Sequence, residues 1–135
     1  MKFHILSLSK AKKFTCDKPW ACVSIIDHPE SGWPKINKVQ QVDMLQLAFG
    51  DVLKENQYYQ LFDEKQAQQI LDFVDNVWEK IDALMIHCYA GISRSPAVAA
   101  AISQIKLNTN NDIFDLYTPN LLVYNTIIEV YRNKL

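Results

Sequence analysis

The apolar run "ALMIH" at residues 83–87 constrains the fold of this chain more than any other segment. It is short, continuous and without alternation, which suits a strand covered on both faces, as in a parallel sheet. Immediately before it, Ala67, Ile70, Val74, Val77, Trp78 and Ile81 recur at helical spacing. Asp72, Asn76 and Glu79 fall on the opposite face, so Asp63 to Ile81 reads as an amphipathic helix. Asp63, with Gln66 three residues later, has the form of a capping box. A helix leading into a doubly covered strand is half of a parallel crossover unit.

The remaining segments repeat that alternation. "FHILSLS" (3–9), "WACVSIID" (20–27) and "VDMLQLAF" (42–49) are expected strands, and "HPESGWPK" (28–35) is loop by its prolines and glycine. "PAVAAAISQIKL" (96–107) and "PNLLVYNTIIEVYRNK" (119–134) are expected helices. The sum is an α/β fold: one domain over residues 1–135, with a mainly parallel central sheet flanked by helices. Hydrophobic residues make up 49% of the chain, enough for one core. Ligands of such sheets bind beyond the carboxyl ends of the strands.

Charge and cysteine usage narrow the function. A net charge of −1 with interspersed signs offers no basic stripe for a nucleic-acid backbone. No apolar run approaches membrane-spanning length, and "MKFHILSLSKAKKF" lacks the core of a signal peptide, so a cytoplasmic protein without membrane partners is expected. Cys16, Cys22 and Cys88 make an odd set, which disfavours a disulfide scaffold. Neither they nor His4, His28 and His87 show metal-ligand spacing, so no metal and no cofactor are expected. Oligomeric state is not readable.

Directly after "ALMI" comes "HCYAGISRSP", residues 87–96. Pro96 suits a first helical turn and Ser95 an N-cap, so Tyr89, Ala90, Gly91, Ile92, Ser93 and Arg94 are expected to curl over a helix N-terminus. Backbone N–H groups converge there and the helix dipole is positive, which favours an anion. Gly91 permits the tight turn, and Arg94 adds a planar two-pronged donor that matches phosphate oxygens. The same field favours the Cys88 thiolate, the nucleophilic form. Ser95 is placed to donate to that sulfur and His87 to fix the loop. Taken singly, Cys88 would be a small buried hydrophobe, Arg94 a surface ion-pair partner and His87 a satisfied core histidine; the combination at these spacings argues for chemistry.

"HCYAGISRS" resembles the signature of the cysteine-dependent protein tyrosine and dual-specificity phosphatases: His-Cys, five residues, Arg, then Ser or Thr. "SIIDHP", "LAFGD", "FDEKQAQQILDFV" and "PNLLVY" are similar to small bacterial and phage-type tyrosine phosphatase-like proteins, so the resemblance covers most of residues 20–130. It implies a phosphotyrosine phosphatase-like fold and a phosphocysteine on Cys88. It also implies phosphate held by residues 89–94 and a separate aspartate as general acid. The substrate would be a phosphorylated protein or a small phosphomonoester.

Asp51 is the expected acid, because it follows the strand "LQLAF" on the same rim as Cys88. Glu55, Asp63 and Asp27 are the alternatives, and "GWPK" is rejected because Lys35 stands where an aspartate is needed. The connection 50–62 is long enough to serve as a lid, with Tyr58 and Tyr59 available to flank an aryl phosphate. Cys16 and Cys22 read as core residues, a protective disulfide with oxidised Cys88 being the remote alternative. Three other readings are kept open: a phosphate-binding module without turnover, a rhodanese-like sulfurtransferase, and a serine hydrolase, although "GISRS" lacks the glycine that should follow Ser93 in a nucleophile elbow.

Overall fold

The computed structural model describes residues 1–135, apart from the side chain at position 111. Four parallel strands form one sheet: β1 (Lys2–Leu6), β2 (Trp20–Ile26), β3 (Gln41–Ala48) and β4 (Ala83–His87), in the order β1-β4-β2-β3. All five residues of β4 are buried, as the unbroken apolar run requires of a strand between two neighbours and two covered faces. Its register sets Ile5 beside Ile86 and Val23 beside Ile86.

Strand parity divides the core. Ala21, Val23, Ile25, Leu84 and Ile86 face the larger cluster, which the helices α2 (Glu64–Val77), α3 (Arg94–Leu107) and α5 (Leu121–Arg132) complete. Trp20, Cys22, Ala83 and Met85 face the other side, where Ala11 and Ile36 cover them. Each fully buried aliphatic side chain contributes about 1.5–3 kcal/mol. From Arg94 to Ser103 the α3 helix is buried on every side, and Ala97, Ala99, Ala100 and Ala101 carry no exposed surface, so small residues let it lie between the sheet and α5. No helix among the described residues is long and apolar enough to cross a membrane.

The differences from expectation are local. The strand expected over 3–9 ends at Leu6, because Ser7 caps a one-turn helix α1 (Leu8–Ala11) by accepting from the Lys10 N–H at 3.2 Å. Asp63 caps α2 through the Gln66 N–H at 2.9 Å, but the Gln66 side chain reaches the Ala48 carbonyl at 3.1 Å, so the box does not close. The short helix α4 (Asn111–Leu116) was not anticipated; its "NDIFDL" is poor in strong helix formers. Parallel neighbours β2 and β3 are joined over residues 27–40 by a loop with one 3₁₀ turn (Pro29–Ser31) in place of the usual helix.

Because α3 has no room around it, Ala101→Leu is expected to destabilise the fold by about 1–3 kcal/mol through overpacking. Leu107→Ala at the exposed end of α3 should stay within about 0.5 kcal/mol of the parent. Urea unfolding midpoints of the two variants check the pair.

Candidate active site

The carboxyl ends of β2, β3 and β4 meet the N-terminus of α3, and the residues of "HCYAGISRS" fill that junction. Parity places the two residues of His-Cys on opposite faces. His87 belongs with Ala83 and Met85, and Cys88 with Leu84 and Ile86, which turns the thiol toward α3. The Cys88 Sγ lies 3.2 Å from the Ser95 Oγ and accepts from the Gly91 N–H at 3.2 Å. The N–H groups of residues 89, 90, 92 and 93 have no protein acceptor among the described residues, which is the state of a nest that receives an oxyanion.

One correction concerns the helix start. Ser93, not Ser95, is the N-cap, and the helix begins at Arg94. Ser95 is thereby one residue inside the first turn, fully buried, with its hydroxyl aimed at sulfur. Ser93 makes no capping bond; its hydroxyl donates to the Asp51 Oδ1 at 2.8 Å.

The loop is braced from two sides. The Cys88 N–H donates to the Leu6 carbonyl and the Leu8 N–H to the Tyr89 carbonyl, at 3.3 and 3.0 Å. The Thr118 and Asn120 N–H groups donate to the carbonyls of Ile92 and Ser93 at 3.1 and 3.0 Å. Gly91 has φ +73°, and a Cβ there would come within 2.6 Å of the Ser7 nitrogen and 2.7 Å of the Leu6 carbonyl carbon. The close approach that requires glycine is thus to the β1–α1 backbone.

Arg94 is 5% exposed and is held through Nη1 alone, which donates to the Asp27 Oδ1 at 2.6 Å and the Phe49 carbonyl at 2.8 Å. Its Nε and Nη2 have no protein partner among the described residues, leaving a two-pronged edge for an oxyanion. Asp27, an alternative acid on sequence grounds, is occupied by this ion pair. Asp63 is occupied by its cap, and Glu55 is exposed with no bond into the site among the described residues. Asp51 stands at the rim, its Oδ1 accepting from Ser93 and from the Asn120 Nδ2 at 2.9 Å, while Oδ2 has no protein partner among the described residues.

Sequence reasoning missed Asn120, which also donates to the Val52 carbonyl at 3.2 Å and caps α5 by accepting from the Val123 N–H. Its signal was present, a cap-type residue just before an apolar helical run, but the helix was expected to begin at Pro119, two residues before its start at Leu121. Ser24 was missed too. Its Oγ lies 2.6 Å from the His87 Nε2, while the His87 Nδ1 lies 3.3 Å from the Cys88 carbonyl. A carbonyl only accepts, so Nδ1 carries the proton and Nε2 accepts from the Ser24 hydroxyl. Burial pushes His87 below its ordinary value, the Arg94 charge adds to this, and the bond to the Cys88 carbonyl opposes it. Tyr59 stacks on His28 at 5.1 Å rather than standing free, and Tyr58 is exposed. Cys16 and Cys22 are free thiols, and burial raises Cys22 to about 12.

No family model matches the chain, and no curated protein matches it in sequence. Solved structures do match. Human DUSP28 superposes with a TM-score of 0.62 at 14% identity, covering 98% of this chain and 95% of that one. PTPMT1 in complex with PI(5)P gives 0.62 at 12%, covering 98% and 91%. A human tyrosine phosphatase-like serine/threonine/tyrosine-interacting protein gives 0.60 at 21%, covering 86% and 78%. This chain has the fold of the tyrosine and dual-specificity phosphatases. At these identities the likeness speaks for the fold, and the chemistry rests on the site itself.

Two predictions follow from the loop's supports. Gly91→Ala should lose about 1–2 kcal/mol from the left-handed backbone alone, and more from the clash with Leu6 and Ser7; thermal unfolding measures it. For His87 the folded value is depressed below 6.5, so the unfolded chain takes up its proton first as pH falls. Its contribution is constant above about pH 6.5 and is lost below that, until pH passes under the folded value. His87→Gln should flatten this part of the stability–pH curve, read from urea unfolding at a series of pH values.

Proposed function

We propose that this chain is a metal-independent phosphomonoester hydrolase, a protein tyrosine or dual-specificity phosphatase that works through a phosphocysteine on Cys88. The observation that carries the reading is the Cys88 sulfur held between Ser95 and Gly91, beside loop N–H groups and an Arg94 edge that have no protein partner among the described residues.

The Cys88 thiolate attacks phosphorus, an S–P bond forms, and the ester P–O bond breaks. The loop N–H groups and Arg94 hold the non-bridging oxygens, where charge gathers in the transition state. Asp51, protonated, gives its proton to the departing alkoxide or phenoxide, and as a carboxylate it then removes a proton from the attacking water. That water forms a P–O bond as the S–P bond breaks, and Ser95 stabilises the thiolate that leaves. Ser93 and Asn120 are positioning residues for Asp51, since both bind its Oδ1 and leave Oδ2 for the proton. His87, itself held by Ser24, donates to the Cys88 carbonyl from behind.

Ser95, 3.2 Å from the sulfur, is placed to stabilise the Cys88 thiolate as the S–P bond breaks, and thiosulfate-dependent transfer of sulfur to cyanide would favour a sulfurtransferase instead. Hydrolysis of an aryl phosphate in the presence of chelator is expected to fall to background in Cys88→Ser. Unchanged turnover in that variant would reject the mechanism. Asp51→Asn should slow an alkyl phosphate by roughly 10²–10⁴-fold and an activated aryl phosphate much less. Equal slowing of both would move the acid to Glu55.

A further inference from the structure

The crossover 27–40, α1 and the cysteine loop enclose a cleft of about 380 Å³ that the chemistry above does not use. Its walls include Trp33 and Pro34 of the crossover, Leu8 and Lys12 of the α1 segment, Ile25 of β2 and Tyr89. The volume lies within the roughly 300–1,000 Å³ of built ligand pockets, and the lining combines aromatic and aliphatic side chains with the polar Lys12, Asp27, His28 and Ser31. Tyr89 is 64% exposed although it follows the buried Cys88 directly. Asp27 also lines the cleft, so the cleft and the Arg94 ion pair share a residue.

Charge adds a second observation. Lys10, Lys12 and Lys13 are exposed on and just after α1, and none forms a salt bridge among the described residues. The carboxylate nearest the cleft, Asp27, is paired with Arg94. The cleft therefore has a cationic border on the α1 side, where Lys12 lines it.

We propose that this cleft is a specificity subsite for a phosphoprotein. It would seat a bulky apolar side chain within one or two residues of the phosphorylated residue, with acidic residues continuing past it toward Lys10, Lys12 and Lys13. Successive Cα atoms are about 3.8 Å apart, so a chain anchored by phosphate at Cys88 brings its neighbouring side chain to Tyr89 and Trp33. A polar lipid headgroup has no apolar group to fill a cleft walled by Leu8, Ile25, Trp33 and Pro34, and that favours a peptide over a lipid surface. The proposal rests on phosphate binding at Cys88, and its test separates the two.

Binding to the Cys88→Ser protein is measured for three phosphopeptides: Leu beside the phosphoresidue with acidic residues beyond, Ala in place of that Leu, and Lys in place of the acids. The first should bind roughly tenfold or more tighter than either of the others. Trp33→Ala should abolish the Leu–Ala difference, and a Lys10, Lys12, Lys13→Ala triple variant the acid–Lys difference. In proteins with Cys88 intact, hydrolysis of a small aryl phosphate should be unchanged by Trp33→Ala and by the triple variant. Equal binding of all three peptides overturns the subsite, as does a Leu preference that survives Trp33→Ala. Faster turnover of a phosphoinositide in phosphatidylcholine vesicles than of the best peptide also overturns it. If the wild type hydrolyses no aryl phosphate, the phosphatase reading fails, while the peptide-binding series still judges the cleft.

Discussion

A guanidinium at 5% exposure is the constraint on which the site depends. Removing a charge of that kind from water costs several kcal/mol unless partners replace its hydration. Arg94 has two: Asp27 at the end of β2 and the Phe49 carbonyl just past β3. Those bonds tie the first residue of α3 to two strand ends. They use one of the three guanidinium nitrogens, so the charge is held in place but only partly compensated. The same two bonds order the loop and leave the Nε and Nη2 edge for the oxyanion of the proposed reaction.

The period-two alternation of β4 does comparable service on the other side. One strand end delivers Cys88 to the helical face and His87 to the opposite face. His87 stays neutral there because burial opposes its charge, and its two ring nitrogens bridge Ser24 and the Cys88 carbonyl. The thiol itself is not pinned by these bonds. It answers to Ser95 and Gly91, which belong to α3 and the loop, so strand and helix each set one end of the same residue.

How much of this was legible in the sequence depended on how local the cause was. The run "ALMIH" and the spacing from Asp63 to Ile81 gave the strand and helix because burial pattern is written into consecutive residues. The cysteine loop was legible because its parts are contiguous. The helix start was misplaced: Ser95-Pro96 fits a cap by local preference, but the hydroxyl of Ser95 serves sulfur and Ser93 takes the boundary. The Asn120–Asp51 bond spans 69 positions and the Arg94–Asp27 bond 67, and no local pattern encodes such pairs. Only the fold reveals that Asp27 pairs with Arg94.

The connection 50–62 shows the same distinction between length and behaviour. Its length suggests a lid, yet each end is anchored. Asp51 is held by Ser93 and Asn120, and the Gly50 N–H donates to the Gln60 carbonyl at 2.9 Å. The Tyr59 ring lies so close to Gly50 that any Cβ at that glycine would overlap it. On its other side Tyr59 stacks on His28, the neighbour of the aspartate that holds Arg94. Opening this loop would therefore break the stack and release Asp51 together. The supports of Arg94 and of Asp51 are joined through one aromatic contact, so Asp51 is held by Ser93 and Asn120 in the same state in which the loop is packed.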